Sequence, residues 1–441
     1  MSDLGNSRIM TAFKNYQKMT NALETESYPR HRWYFVKEGF SPELIKQAIR
    51  ESGCQEGDLV VDVFCGGGTT TLTAVTEGRA ALGFEVNPFL AFVSRSKLIQ
   101  CRRSVFQKHS NTVLNAARTG LPSRLEGFST FTEAGTSNKW LFNLEVLRAF
   151  QGGWKATNDL YRPARDLLRL CLIGAAMEVC NAVKDGKCLR YRKGWKERRF
   201  ASRDFIRELE GRIAMVAEDL DECPIDGEYD IRNSDSRNLD AGVFKGKGFR
   251  LCVTSPPYLN SFDYTDIYRP ELFLGRYVDS ADELMQLRLR TLRSHVQANW
   301  PAPEKIEQSA LLSQSLSEID DHSERLWNQR IPDMIRAYFE DIKKILTSLK
   351  PLALPDATLW LVVSTSAYAG IEVPVDLILA DIGSKCGWSL REIRVAANLR
   401  RVPGQQWDEL SSNGNYDPYL RESIIILDNR RILKHYNMGG L

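Results

Sequence analysis

Apolar positions along the chain follow two different rhythms. Short unbroken apolar runs bounded by turn residues occur near both ends, and helical spacing dominates between them. The run Leu59-Val60-Val61-Asp62-Val63-Phe64 reads as a buried strand. It leads through Cys65-Gly66-Gly67-Gly68-Thr69-Thr70 into a helical stretch from Thr71 to about Glu77, and then a second strand from Ala80 to Val86. Upstream, residues 1–27 are polar and predict a helix or arm, while Phe40-Ser41-Pro42-Glu43-Leu44 reads as a helix start. Ser41 suits the cap, Pro42 the first helical position, and Glu43 the positive end of the helix dipole. Residues 99–227 predict mostly helix. Leu160 to Val183 is apolar and alanine-rich, and Phe205, Ile206, Leu209, Ile213, Val216 and Leu220 mark one face of an amphipathic helix. Strand patterns return at Tyr229–Arg232, Phe249–Val253, Leu359–Thr365, Ser389–Ala397 and Arg421–Leu427, with helices near Ile331–Leu349 and at Val375–Lys385. The pattern predicts an α/β protein with a Rossmann-like mixed sheet and helical insertions. Its expected divisions are an arm at 1–27, one half of the sheet domain at 28–98, an insertion at 99–227, and a second half at 228–441 that contains a helical insertion at about 266–350.

The first strand pair carries a nucleotide-type signature. Glu85 stands 23 positions after Asp62, near the carboxyl end of the second strand. The dinucleotide pattern fails because Thr71 occupies the place of the third glycine, and no Gly-Lys-Ser/Thr makes a phosphate loop. What remains is a glycine turn that lets the backbone approach a small nucleoside, with Glu85 placed to accept two ribose hydroxyls.

A second stretch, Thr254-Ser255-Pro256-Pro257-Tyr258, follows a core strand and begins an irregular segment. Two prolines lock two φ angles and remove two N–H donors, so this edge accepts hydrogen bonds through its carbonyls and the Ser255 hydroxyl. Such an edge suits a planar group bearing an NH2. An aromatic amine is a poor nucleophile because its lone pair is delocalised, and acceptors that draw its hydrogens out of plane localise that pair. The Tyr258 ring can hold a base by stacking, worth ~1–3 kcal/mol.

Together these pieces resemble the amino-group DNA methyltransferases that use S-adenosylmethionine, in their Ser-Pro-Pro-Tyr form. Asp62-Val-Phe-Cys-Gly-Gly-Gly-Thr-Thr looks like the cofactor loop, Gly83-Phe-Glu-Val-Asn-Pro like the ribose-binding strand, and Asn233-Ser-Asp235-Ser-Arg like the acidic turn beside the cofactor adenine. Phe40-Ser-Pro-Glu-Leu resembles the segment near the methionine end. The resemblance implies a class I methyltransferase sheet and a cofactor held by Asp62, Phe64, Gly66, Gly68, Thr69, Thr70, Glu85 and Asp235, with Phe40 and Ser41. It implies a target base held by Ser255, Pro256, Pro257 and Tyr258.

The implied reaction is methylation of the 4-amino group of a flipped cytosine in a specific DNA sequence, within a restriction-modification system that can include a cognate restriction endonuclease. Orientation of the amine toward the methyl group can supply roughly 7–11 kcal/mol. The order of the pieces resembles the family's, with residues 99–227 as candidate target-recognition region, although that insertion falls before the acidic turn. Alternatives are methylation of the adenine 6-amino group, which in this family more often goes with Asp or Asn in place of Ser255, RNA methylation on the same core, and a catalytically silent nucleic-acid-binding subunit. Methylation at carbon 5 would call for a cysteine after a proline, and none of the nine cysteines follows one.

Composition adds mainly exclusions. Net charge is +3, so a nucleic-acid partner has to be met by local basic clusters. The candidates are Lys187, Arg190, Arg192, Lys193 and Trp195 in a segment where basic and aromatic residues alternate, and Arg400 and Arg401 in a later loop. The cysteines lack Cys-x-x-Cys spacing and the five histidines make no ligand pair, so reduced thiols and no metal are expected. No apolar run approaches the ~20 residues of a membrane helix, and residues 1–27 have no signal-peptide core. The expected compartment is the cytoplasm.

Overall fold

The computed structural model describes residues 9–11, 16–135, 138–185, 188–197, 199–304, 308–398 and 420–429. Ile9–Thr11 is a short strand, β1. In α1 (Pro42–Ser52) the Ser41 side chain accepts the Glu43 N–H, and Gly53 ends the helix in the left-handed conformation. Then come β2 (Leu59–Asp62), α2 (Thr69–Thr76), β3 (Ala80–Phe84) and α3 (Pro88–Leu98). The Asn87 side chain caps α3 by accepting from Phe89 and Leu90. Strand β3 stops at Phe84, so Glu85 lies just beyond the strand rather than within it.

The insertion contains α4 (Arg103–Thr119), α5 (Leu144–Ala156) and α6 (Arg162–Glu178), a hairpin of β4 (Ala182–Asp185) and β5 (Cys188–Tyr191), and α7 (Ser202–Glu222). Helix α6 thus ends before the apolar stretch does. Ala182 and Val183 pair instead with Tyr191 and Arg190, so the basic segment is half of a hairpin. The chain returns to the sheet with β6 (Tyr229–Arg232) and β7 (Phe249–Thr254). It continues through α8 (Tyr264–Ile267), α9 (Arg269–Leu274), α10 (Ala281–Leu289), α11 (Ala310–Asp320) and α12 (Ile331–Leu349). The last elements are β8 (Ala353–Ser364), a small hairpin of β9 (Ser366–Tyr368) and β10 (Ile371–Val373), α13 (Val375–Lys385), β11 (Ser389–Asn398) and β12 (Arg421–Asp428).

The main sheet runs β1-β11-β12-β8-β7-β2-β3-β6, with β12 antiparallel to both of its neighbours and the other pairings parallel. Alternation along the strands divides the core. Val60, Leu251, Val253 and Trp360 pack with Leu44, Ile45 and Ala48 of α1, whereas Val61, Cys252, Leu359 and Leu361 pack with Ile342 of α12 and Leu379 of α13. The apolar face expected of α7 is buried, and it joins a third core that also takes in Phe262, Tyr268 and Phe273. The insertion is therefore packed against the segment that follows β7.

Candidate active site

The strand order changes direction at β2: the chain proceeds to β3 on one side, while β7 lies on the other. In an open α/β sheet this opens a crevice at the carboxyl ends of the two strands. The register Val60↔Leu251 and Val61↔Cys252 brings Asp62 and Thr254 to that edge together. Thr254 Oγ1 donates to Asp62 Oδ1 at 2.6 Å, and the Phe64 N–H donates to the same oxygen at 3.0 Å. One buried carboxylate thus fastens the start of the glycine turn to the start of the Ser-Pro-Pro-Tyr loop. Burial pushes its pKa up to about 6 against the hydrogen bonds that pull it down.

The glycine turn is closed by Glu85. Its Oε2 accepts the Gly66 N–H at 2.8 Å and its Oε1 the Asn87 N–H at 2.8 Å. Each oxygen keeps capacity for a further donor. Burial pushes this carboxyl up to about 7, outweighing those backbone hydrogen bonds. Gly68 enters α2 with φ +82°, and a side-chain carbon there would stand 2.5 Å from Ser94 Oγ, so only glycine fits.

On the other wall, Ser255 Oγ donates to the Val362 carbonyl of β8 at 3.1 Å. Tyr258 Oη donates to Glu422 Oε1 of β12 at 2.6 Å. Asp235 caps a short turn at Ser236–Asn238 and pairs with Arg237 at 2.6 Å. Arg237 also reaches Asp341 of α12 at 3.0 Å.

A cavity of about 510 Å³ is lined by Phe40, Asp62, Phe64, Gly66, Thr69, Glu85, Asp235, Ser255, Pro256, Pro257 and Tyr258. Three residues expected at the cofactor do not line it. Ser41 is fully buried, capping α1 and donating to Glu24 Oε2 at 2.6 Å. Thr70 ties α2 to β7 through the Val253 carbonyl at 3.2 Å, and Gly68 acts through the turn's backbone. The cavity also contains residues that sequence reasoning missed: Glu38, Lys97, Tyr268 and Glu422. A charged residue at the start of an apolar strand was an available signal for Glu422.

Residues 11–93 match the family described as DNA methylase. Among solved structures, the rRNA methyltransferase aviRa from Streptomyces viridochromogenes aligns with 91% of this chain and 85% of its own at 10% identity and a TM-score of 0.32. The type II methyltransferase M.BsoBI of Geobacillus stearothermophilus is 25% identical, with 93% of this chain and 87% of that protein aligned. The type II methyltransferase M.AvaI of Nostoc sp. is 25% identical, over 88% and 85%. Together these matches support the amino-group DNA methyltransferase family for this chain.

The cavity of this methyltransferase fits S-adenosylmethionine. Glu85 and Asp235 offer carboxylate acceptors for ribose and adenine donors, Phe64 offers an apolar surface, and the glycine turn leaves room for the backbone to approach. Among the described residues no group of three or more His, Cys, Asp or Glu side chains is arranged to hold a metal. No helix among them is long and apolar enough to cross a membrane.

The expected nucleic-acid surface is divided by the methyltransferase's hairpin. Arg192 is turned inward, donating to the carbonyls of Cys180 at 2.9 Å and Glu178 at 3.1 Å. Trp195 packs edge-on against Trp140 with ring centroids 4.6 Å apart, and lies 5.0 Å from Tyr191. Lys193 is exposed, and Arg190 makes a surface pair with Asp185 at 2.9 Å. Lys187, Arg400 and Arg401 lie outside the described residues.

Proposed function

We propose that this methyltransferase moves a methyl group from S-adenosylmethionine to the 4-amino group of a cytosine flipped out of duplex DNA. The observation that carries the reading is that the Asp62–Glu85 wall and the Ser255–Tyr258 wall border one cavity. The cofactor supplies a sulfonium methyl group as electrophile. Ser255, whose proton is engaged by the Val362 carbonyl, offers its oxygen lone pairs as acceptor to the amine, and the Pro256 carbonyl offers a second acceptor. Drawing both amine hydrogens toward these oxygens localises the nitrogen lone pair. The Tyr258 ring, fixed through Glu422, forms a stacking surface that offsets the few kcal/mol spent in flipping the base. After transfer the nitrogen is strongly acidic and sheds its extra proton to water, so no dedicated base is needed.

The choice of cytosine follows the Ser-Pro-Pro-Tyr resemblance. The likeness to type II methyltransferases supports a role beside a restriction endonuclease that recognises the same DNA sequence.

The test is incubation of duplex DNA with labelled cofactor, digestion, and mass analysis of the nucleosides. Label in 4-methylcytosine is expected. Label in 6-methyladenine would move the target to adenine; transfer to RNA alone, or to carbon 5, would overturn the proposal. Ser255→Ala is expected to lower turnover by roughly a hundredfold, the scale of losing one hydrogen bond aligned to the reacting group, while leaving cofactor affinity unchanged.

A further inference from the structure

Lys97, in the last turn of α3, is only 3% exposed. Its ammonium donates to the Tyr34 carbonyl at 3.0 Å, and among the described residues it makes no other hydrogen bond and no ion pair. An ammonium removed from water without a counter-ion is costly. Burial accordingly pushes its pKa down to about 7. Cys65, beside it, gives no counter-charge, because burial pushes that thiol up and keeps it neutral. Such a group is usually excluded from a core, yet here it lines the cavity next to the glycine turn. A side-chain carbon on Gly67 would stand 3.7 Å from Lys97 Nζ.

The cavity's other charges narrow what this cation is for. Glu38, Asp62, Glu85 and Asp235 line the cavity with acidic side chains, suited to a ligand with positive and hydrogen-donating groups. Arg237 is taken up by Asp235 and Asp341. S-adenosylmethionine has one anionic group, the carboxylate at its amino-acid end, and Lys97 is a buried cation without an anion. Glu38, held through Oε2 by the Tyr268 hydroxyl at 2.8 Å, is a matching acceptor for the ammonium of that same end.

We infer that Lys97 binds the carboxylate of the cofactor's methionine moiety. The inference rests on the S-adenosylmethionine reading. It adds a specificity determinant: this site should distinguish the intact amino acid from a ligand of the same shape lacking the carboxylate.

The experiment is calorimetric titration of the wild-type protein, Lys97→Met and Lys97→Gln with S-adenosylmethionine and with its decarboxylated analogue. The wild-type protein is expected to prefer the intact cofactor by roughly tenfold to a hundredfold, the scale of one charge-assisted hydrogen bond. Both variants are expected to bind the two ligands equally, at the wild-type affinity for the analogue. Lys97→Gln keeps a polar donor at that depth and covers the case in which the Met variant does not fold. A wild-type protein without the preference overturns the inference, as do variants that retain it. A wild-type protein that binds neither ligand overturns the cofactor reading itself. DNA affinity measured without cofactor is expected to be equal in all three proteins; a loss in the variants would put a phosphate at Lys97 and overturn the carboxylate assignment.

Discussion

Glu85 shows how one residue can be set by competing terms. The backbone N–H groups of Asn87, Gly66 and Val86 favour its charged form, but desolvation is larger and the carboxyl sits at about 7 rather than the ordinary 4.5. Between those pH values the folded protein holds a proton that the unfolded chain releases. Stability of the cofactor-free protein therefore falls as pH rises through this window, and Asp62, at about 6, acts in the same direction. Glu85→Gln is expected to flatten the decline and to melt above the wild type at pH 8. The same change should weaken cofactor binding by roughly tenfold to a hundredfold, since neutral amide replaces charged acceptor. Thermal melts from pH 5 to 8 and a cofactor titration check both, and a variant whose melts track the wild type would show that no buried charge resides there. Glu85 was legible in the sequence because an acid after a glycine turn has few structural uses. Lys97 was not, because with Arg95 it reads as an ordinary cation at the end of a helix, complementing the dipole.

At the scale of elements, α7 joins the insertion to the segment before α1. Its apolar stripe was readable from spacing, and the six residues named from the sequence are buried. Asp219 was not readable, because it falls between Val216 and Leu220 on that stripe, where a charge contradicts the pattern. The structure gives the reason. Asp219 Oδ2 accepts the Arg30 backbone N–H at 2.7 Å and Trp33 Nε1 at 2.8 Å, and Oδ1 accepts Arg32 Nε at 3.1 Å. Arg30 is held at φ +63°, a conformation rare for a residue with a side chain, so this carboxylate fixes an otherwise unfavourable turn. Asp219→Ala leaves two buried donors unpaired and is expected to cost about 3–5 kcal/mol. Urea unfolding measures it. Cofactor affinity of the folded fraction should change little, because Asp219 does not line the cavity; a stability loss below about 1 kcal/mol would mean that water replaces the carboxylate.

At the scale of the whole molecule, a net charge of +3 does not by itself draw DNA to any one face, so local geometry has to select it. The β4–β5 hairpin is anchored to the site rather than hung from it. Lys184 pairs with Glu271 of α9 and lies 3.7 Å over the ring of Tyr268, which also lines the cavity. The alternating basic and aromatic residues were visible in the sequence, but their division of labour depends on which strand face each occupies, and that is decided by pairing. Arg192 and Trp195 serve the hairpin's own structure, whereas Lys193 and Arg190 remain toward solvent. The Arg190–Asp185 pair is a surface pair, worth about 0–1 kcal/mol, so the arginine can exchange it for a phosphate at little cost. If the anchored hairpin is the face that meets DNA, replacing both Arg190 and Lys193 by Ala should lower the slope of log affinity against log salt by roughly 0.9 for each phosphate left without its cation. Cofactor affinity should stay at the wild-type value. Arg192→Ala is expected to behave differently, lowering stability through the freed carbonyls with a much smaller effect on the salt slope. Binding of a duplex measured across a series of salt concentrations separates the two outcomes: equal slopes for the double variant and the wild type would assign phosphate binding to another face.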